Sequence, residues 1–153
     1  MRALTNIVSC GIYAPALRLE RERIAQALQW LGPPGAAPLR GSRAVCNWDE
    51  DALTMAVEAA RRCLNSAAGS VGTPAAVTLA STTLPFADRS NATVVAGALD
   101  LPETIRTSDC GGSLRAATSA LAALARAAHT DDRDLVSDAV RHSDAQTFFA
   151  FQK

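Results

Sequence analysis

TSDCGGSLRAATSALAALARAA, residues 107–128, is the stretch on which the rest of the chain turns. Alanine is the strongest helix former and the run is apolar on nearly every side, which predicts a buried helix rather than a half-exposed one. Cys110 stands where that helix is expected to begin, followed by Gly111 and Gly112. Ser108 or Asp109 can cap the helix, and the N–H groups of a first turn sum to a partial positive charge that favours thiolate over thiol. The two glycines take side chains away from the sulfur, so a bulky acyl group can approach the backbone. This suits a nucleophile that accepts an acyl group and holds it as a thioester. A structural cysteine beside a Gly-Gly turn fits the same residues, and the local pattern leaves both readings open.

Upstream, LTNIVSCGIYAP is rich in Ile and Val and is stopped by Ala14-Pro15, which predicts a strand. RLERERIAQALQWL places Ile24, Ala27, Leu28 and Leu31 at helical spacing, and GPPGAAPLRGS is a loop by its glycines and prolines. NWDEDALTMAVEAARRCLNSA has the clearest helix start. Asn47 or Asp49 can cap it, acids fill its first turn, and Leu53, Ala56, Val57, Ala60 and Leu64 form an apolar face. Capping accounts for the three acids without a metal. AAVTLAST is a short apolar strand, RSNATVVAGALDLP a short helix closed before Pro102, and ETIRTSD a brief strand or turn. Apolar strands alternating with helices point to an α/β layer architecture with a buried sheet.

The whole chain has 153 residues, enough for one domain that buries about two-thirds of its unfolded surface. A 48% hydrophobic and 20% charged composition is that of a folded protein, and 15 basic against 15 acidic residues leave no net charge. Neither a nucleic acid nor an anionic membrane finds a basic stripe here. MRALTNIVSC has no extended apolar run of the signal-peptide kind, and no stretch is long and apolar enough to span a membrane; a cytoplasmic protein is expected. Cys10, Cys46, Cys63 and Cys110 are far apart, with no CxxC pair and no histidine at ligand spacing, so neither zinc nor disulfides are expected. Cys10 and Cys63 are expected as small buried hydrophobes. His129 and His142 are expected at the surface. The composition shifts at TFFAFQK, which holds three of the four phenylalanines, and this sets a tail, residues 143–153, apart from a domain over residues 1–142.

The order strand, helix, NWDEDALTMAVEAAR, VTLASTTLPFADRSNATVVAGALDLP, RTSDCGGSLRAATSAL resembles the N-terminal half of hydroxymethylglutaryl-CoA synthases and their bacterial and archaeal relatives among the thiolase-like condensing enzymes. The resemblance covers about residues 4–142, and the Asp-Cys segment is its most specific part. It implies a thiolase-like half-fold of the α/β class, a central mixed sheet around a buried alanine-rich helix. It also implies a reaction: a cysteine takes an acyl group from an acyl-CoA, and the acyl group is then condensed with a second, carbon-nucleophilic thioester. Carried over, Cys110 is the acyl acceptor, and Gly111, Gly112 and Thr82 are candidate substrate-binding residues. A backbone N–H near the same helix end would hold the thioester carbonyl. Coenzyme A thioesters enter as substrates, and no further cofactor is implied.

Two departures from the family bear on activity. Its general acid/base glutamate stands near the end of the strand matching VTLAST, where this chain has Ser81-Thr82-Thr83, whose hydroxyls cannot exchange protons near neutral pH as a carboxylate can. Asp88 follows a few residues on. The family's catalytic histidine comes from a second half, and this sequence matches the first. A condensing acyltransferase and a non-catalytic half-domain that pairs with a thiolase-like partner therefore both stand, with a plain α/β domain whose Cys110 is core as a third reading. A helix apolar on every side needs cover on every side, which predicts a homodimer or a hetero-oligomer.

Overall fold

The computed structural model describes residues 6–30, 40–68, 73–74, 76–127, 140–142 and 145–152. The Ile/Val-rich start forms strand β1 (Asn6–Tyr13). Leu17–Glu20, whose last three residues the apolar spacing assigns to a helix, instead form strand β2, and helix α1 is confined to Arg21–Ala27 with no buried residue. Strand β3 (Ser42–Val45) takes in the last residue of the expected loop, of which 32–39 lie outside the described residues, and pairs antiparallel with β2, Leu17 opposite Val45. Gly41, at φ +88°, turns the chain into β3, a conformation that favours glycine. Leu31 lies outside the described residues.

Helix α2 (Ala52–Ser66) is capped by Asp51, not by Asn47 or Asp49. The Asp51 carboxylate accepts from the backbone N–H of Leu53 (2.9 Å) and Thr54 (2.8 Å), while the Thr54 hydroxyl oxygen accepts from the Asp51 N–H at 2.8 Å. The Thr54 hydroxyl, three residues after the cap, closes this reciprocal box, which the expected caps did not include. The acids thus precede the first turn. The buried face runs through Leu53, Ala56, Ala59, Ala60 and Cys63 and meets β1. A methyl group on Gly11 would overlap the Ala59 carbonyl oxygen and the Cys63 amide nitrogen, so strand and helix touch backbone to backbone there. The Ser9 hydroxyl donates to the Cys63 carbonyl at 2.9 Å beside it. Cys63 is buried as expected, but Cys10 is exposed, because Ser9 and Gly11 turn toward α2 and strand alternation puts Cys10 on the opposite face.

Strand β4 (Ala76–Ala80) is buried at every position, as a strand covered on both faces must be. Helix α3 (Asn91–Ala98) follows, then strand β5 (Arg106–Cys110), which pairs with β4 in parallel, Ala76 with Arg106 through Ala80 with Cys110. Leu79, Val77 and Val95 are fully buried between these elements and α2, each contributing about 1.5–3 kcal/mol of hydrophobic stabilisation.

The alanine-rich helix α4 occupies Ala116–Ala127. It is not buried on every side. Ala116 and Ala120 are buried against Ala80, Leu124 is half-buried beside them, and Thr118, Ser119, Ala123 and Ala125 face outward. Propensity makes the helix, but only a packed neighbour covers it. The chain closes with strands β6 (Val140–His142) and β7 (Ala145–Gln152). The residues that composition marks off as a tail run as β7 between β6 and β1, antiparallel to both. Parallel and antiparallel pairing are thus both present, as a mixed sheet requires. Among the described residues, however, they lie in three separate ladders, β1-β7-β6, β2-β3 and β4-β5.

Candidate active site

The candidate nucleophile is the last residue of β5 and precedes the helix it was expected to open. Residues 111–115 form a turn between Cys110 and Ala116. The turn arises because Gly112 takes φ +73°, outside helical space, and because Asp109 does not cap α4. Its carboxylate accepts from the backbone N–H of Asn91 (2.7 Å) and Ala92 (2.7 Å) and from the Asn91 side-chain amide (3.0 Å), at the start of α3. At α4 the Ser113 hydroxyl accepts from the Arg115 N–H at 3.1 Å instead.

Side chains alternate along β5, and the alternation sorts the site. Thr107 and Asp109 face α3, where the Thr107 and Thr93 hydroxyls lie 2.8 Å apart. Ser108 and Cys110 face the other way. The Ser108 hydroxyl is 2.8 Å from that of Thr78, and Cys110 packs half-buried against Ala80, Ala116 and Ala120. The thiol therefore borders the first two turns of α4 in space while standing apart from them in sequence. Its backbone is fixed as well, since the Cys110 carbonyl accepts from the Ser81 N–H at 3.0 Å.

Gly111, next in the chain, lies against the segment after β4. A Cβ at Gly111 would lie 3.3 Å from Leu84 Cδ1 and 3.5 Å from the Ser81 carbonyl oxygen, so any side chain there would press on Leu84. Space around Gly112 is clear, and its demand is conformational only. Ser81 is buried, and its hydroxyl accepts from the Thr83 N–H at 3.1 Å, a local turn in place of a carboxylate. Thr82 is exposed next to it. Asp88 is exposed and pairs with Arg89 at 3.5 Å. His129 lies outside the described residues, and His142 is placed through its backbone in β6. Among the described residues no group of three His, Cys, Asp or Glu side chains could hold a metal, and no helix is long and apolar enough to cross a membrane.

One residue escapes any reading of the sequence. Asn91 is 1% exposed, and its side chain donates to the Phe86 carbonyl (2.8 Å) and to Asp109 while accepting from the Phe86 N–H (3.0 Å). A Ser90 cap, whose hydroxyl accepts from the Thr93 N–H, marks a helix start there but gives no hint of a partner eighteen residues away.

No family model matches the chain. The hydroxymethylglutaryl-CoA synthase of Methanocaldococcus jannaschii is 33% identical over 121 residues, which are 77% of this chain and 34% of that protein. The chain spans about one third of the length of such curated relatives. Among solved structures, OleA from Xanthomonas campestris with bound lauric acid and lauroyl-CoA superposes at a TM-score of 0.81 and 16% identity, over 100% of this chain and 57% of that one. The priming β-ketosynthase of the R1128 polyketide pathway superposes at 0.78 and 17% identity, over 99% of this chain and 50% of that one. The fold is thus that of the thiolase-like condensing enzymes.

Proposed function

We propose, from the premise that the chain belongs to the hydroxymethylglutaryl-CoA synthase family as its N-terminal half, that it carries the acyl-accepting half of a condensing acyltransferase. Cys110 is the nucleophile. Its thiolate attacks the thioester carbonyl carbon of an acyl-CoA, a backbone N–H of the 111–115 turn holds the developing oxyanion, and the C–S bond to coenzyme A breaks. Coenzyme A leaves as a thiolate and takes up a proton, and the acyl group remains on the Cys110 sulfur. Gly111, Gly112 and Thr82 line the approach. Carbon–carbon bond formation with a second thioester needs a carboxylate where this chain has Ser81-Thr82-Thr83, and a histidine of the kind that the family's second half supplies. The observation that carries the reading is the position of Cys110, half-buried at the carboxyl end of a parallel strand beside a glycine turn.

Incubation with radiolabelled acetyl-CoA, or with lauroyl-CoA in view of the OleA complex, tests it. Label is expected to survive denaturation in the parent and to vanish in Cys110→Ser. A folded sample that takes no label favours the second reading, a non-catalytic half-domain. That reading draws on the outward faces of α4 and on Leu114, which is 94% exposed. In either case the proposed assembly is a cytoplasmic homodimer, or a hetero-oligomer with a thiolase-like subunit, which light scattering distinguishes from a monomer.

A further inference from the structure

We propose that Asp109 is a positioning residue for Cys110, clamping the end of β5 and the loop after β4 into one unit; the inference rests on Cys110 being the acyl acceptor. The Asp109 side chain does not touch the sulfur's surroundings. It points to the opposite face of β5 and spends both carboxylate oxygens on three N–H donors at the start of α3. Hydrogen bonds to an ionised acceptor are about twice as strong as neutral ones, and a helix N-terminus reinforces them. The residue immediately before Cys110 is therefore held by three hydrogen bonds, while the residue immediately after it, Gly111, starts the turn that leads to α4.

The clamp has a second arm. Asn91, buried and with its amide fully engaged, passes the constraint from Asp109 to both backbone groups of Phe86. Phe86 lies in the loop 81–90, the same loop that brings Ser81 to the Cys110 carbonyl and Leu84 to Gly111. One carboxylate thus fixes the backbone on both sides of Cys110, the strand end directly and, through Asn91, the loop that bonds its carbonyl. A reacting atom displaced by about an ångström costs up to a hundredfold in rate, so the clamp sets reactivity without entering the chemistry.

Alkylation of Cys110 by iodoacetamide tests this, followed by peptide mass spectrometry because Cys10 and Cys46 are exposed as well. The rate is measured from about pH 6 to 9, the range in which cysteine thiols ionise. Asp109→Asn puts an NH2 group against N–H donors. It is expected to slow the limiting rate at Cys110 about tenfold per folded molecule and to move its pH profile. Asp51→Ala, which removes the cap of α2, is expected to lower stability while leaving Cys110 alkylation unchanged. A wild-type rate and profile in folded Asp109→Asn would overturn the proposal. Should that variant fail to fold, Asn91→Ala keeps the backbone donors and is expected to slow the same reaction about threefold; an unchanged rate there overturns the proposal equally. A parent protein whose Cys110 alkylates but takes no label from acyl-CoA defeats the acyl-acceptor reading and leaves this measurement intact.

Discussion

Helices α2 and α4 both pack through alanines, yet they meet opposite fates. Helix α2 buries Ala52, Leu53, Met55, Ala56, Ala59, Ala60 and Cys63 against β1, β7 and α3. Helix α4 buries Ala116 and Ala120 against β4 and β5 and leaves Ala123 and Ala125 in solvent. Composition alone predicts the deeper burial for α4. The contrast shows that a small side chain permits close approach without creating the partner that approaches.

A matched pair of substitutions would break the contrast most directly. Ala59→Leu forces three further heavy atoms into a filled contact and is expected to cost about 3 kcal/mol in urea unfolding. Ala123→Leu, on the outer face of α4, is expected to stay within about 0.5 kcal/mol of the parent. Equal losses would mean that the outer face of α4 is covered in solution, and Ala123→Leu should then also change the mass seen by light scattering.

The two regions also end their elements differently, with effects of about 1 kcal/mol. Helix α3, on the α2 side, closes with Asp100 at φ 53° and with N–H bonds from Asp100 to Gly97 (3.1 Å) and from Leu101 to Ala96 (3.1 Å). That is a Schellman motif with aspartate where glycine is favoured, so Asp100→Gly is expected to raise stability by about 1 kcal/mol. The turn before α4 has the favoured residue, and Gly112→Ala is expected to lose about as much. A much smaller loss at Gly112 than the gain at Asp100 would show that the α4 side opens independently of the α2 side.

The smallest effect concerns the margin of α2. The Tyr13 hydroxyl donates to Glu50, and Arg62 lies over the Tyr13 ring, 5.2 Å from its centre. Hydrogen bonds from the Asn47 N–H and then from Tyr13 hold the Glu50 carboxyl below its ordinary value, and Glu50 in turn pushes the Tyr13 phenol up. The carboxylate's contribution is complete above the ordinary glutamate pKa and is lost as pH falls through the lowered one. The phenol's contribution is lost only as pH rises through its raised value. Glu50→Gln is expected to flatten the acid side of the stability profile slightly and to leave neutral pH within about 0.5 kcal/mol, since both side chains stay partly open to solvent.

Periodicity and punctuation were enough to read β1, α2, β4 and α3, because each is specified by residues within itself. The start of α4 was not, because alanine propensity says where a helix can run and not where it begins. Glycine at positive φ and the turn bonds from the Arg115 and Ala116 N–H groups to Ser113 set that locally. The Asp51 cap is not singled out by spacing alone, because Asn47 also has a partner three residues on, Glu50, which accepts from its N–H at 2.8 Å. The resemblance located Cys110, but the carboxylate beside it was assigned to the wrong helix. Its partners on Asn91 and Ala92 are tertiary, and no local spacing announces them. β3 hid behind glycine and proline, and β7 behind a change in composition.

The ladder between β1 and β7 joins residues as distant as Asn6 and Gln152. On a ribosome, the strand made first therefore waits for one made more than a hundred residues later before its amides are satisfied. Until then it is an open edge capable of recruiting the wrong strand, and closing so long a loop is slow. Expression yield should consequently respond to translation speed and to chaperone supply more sharply than the finished fold's stability would suggest.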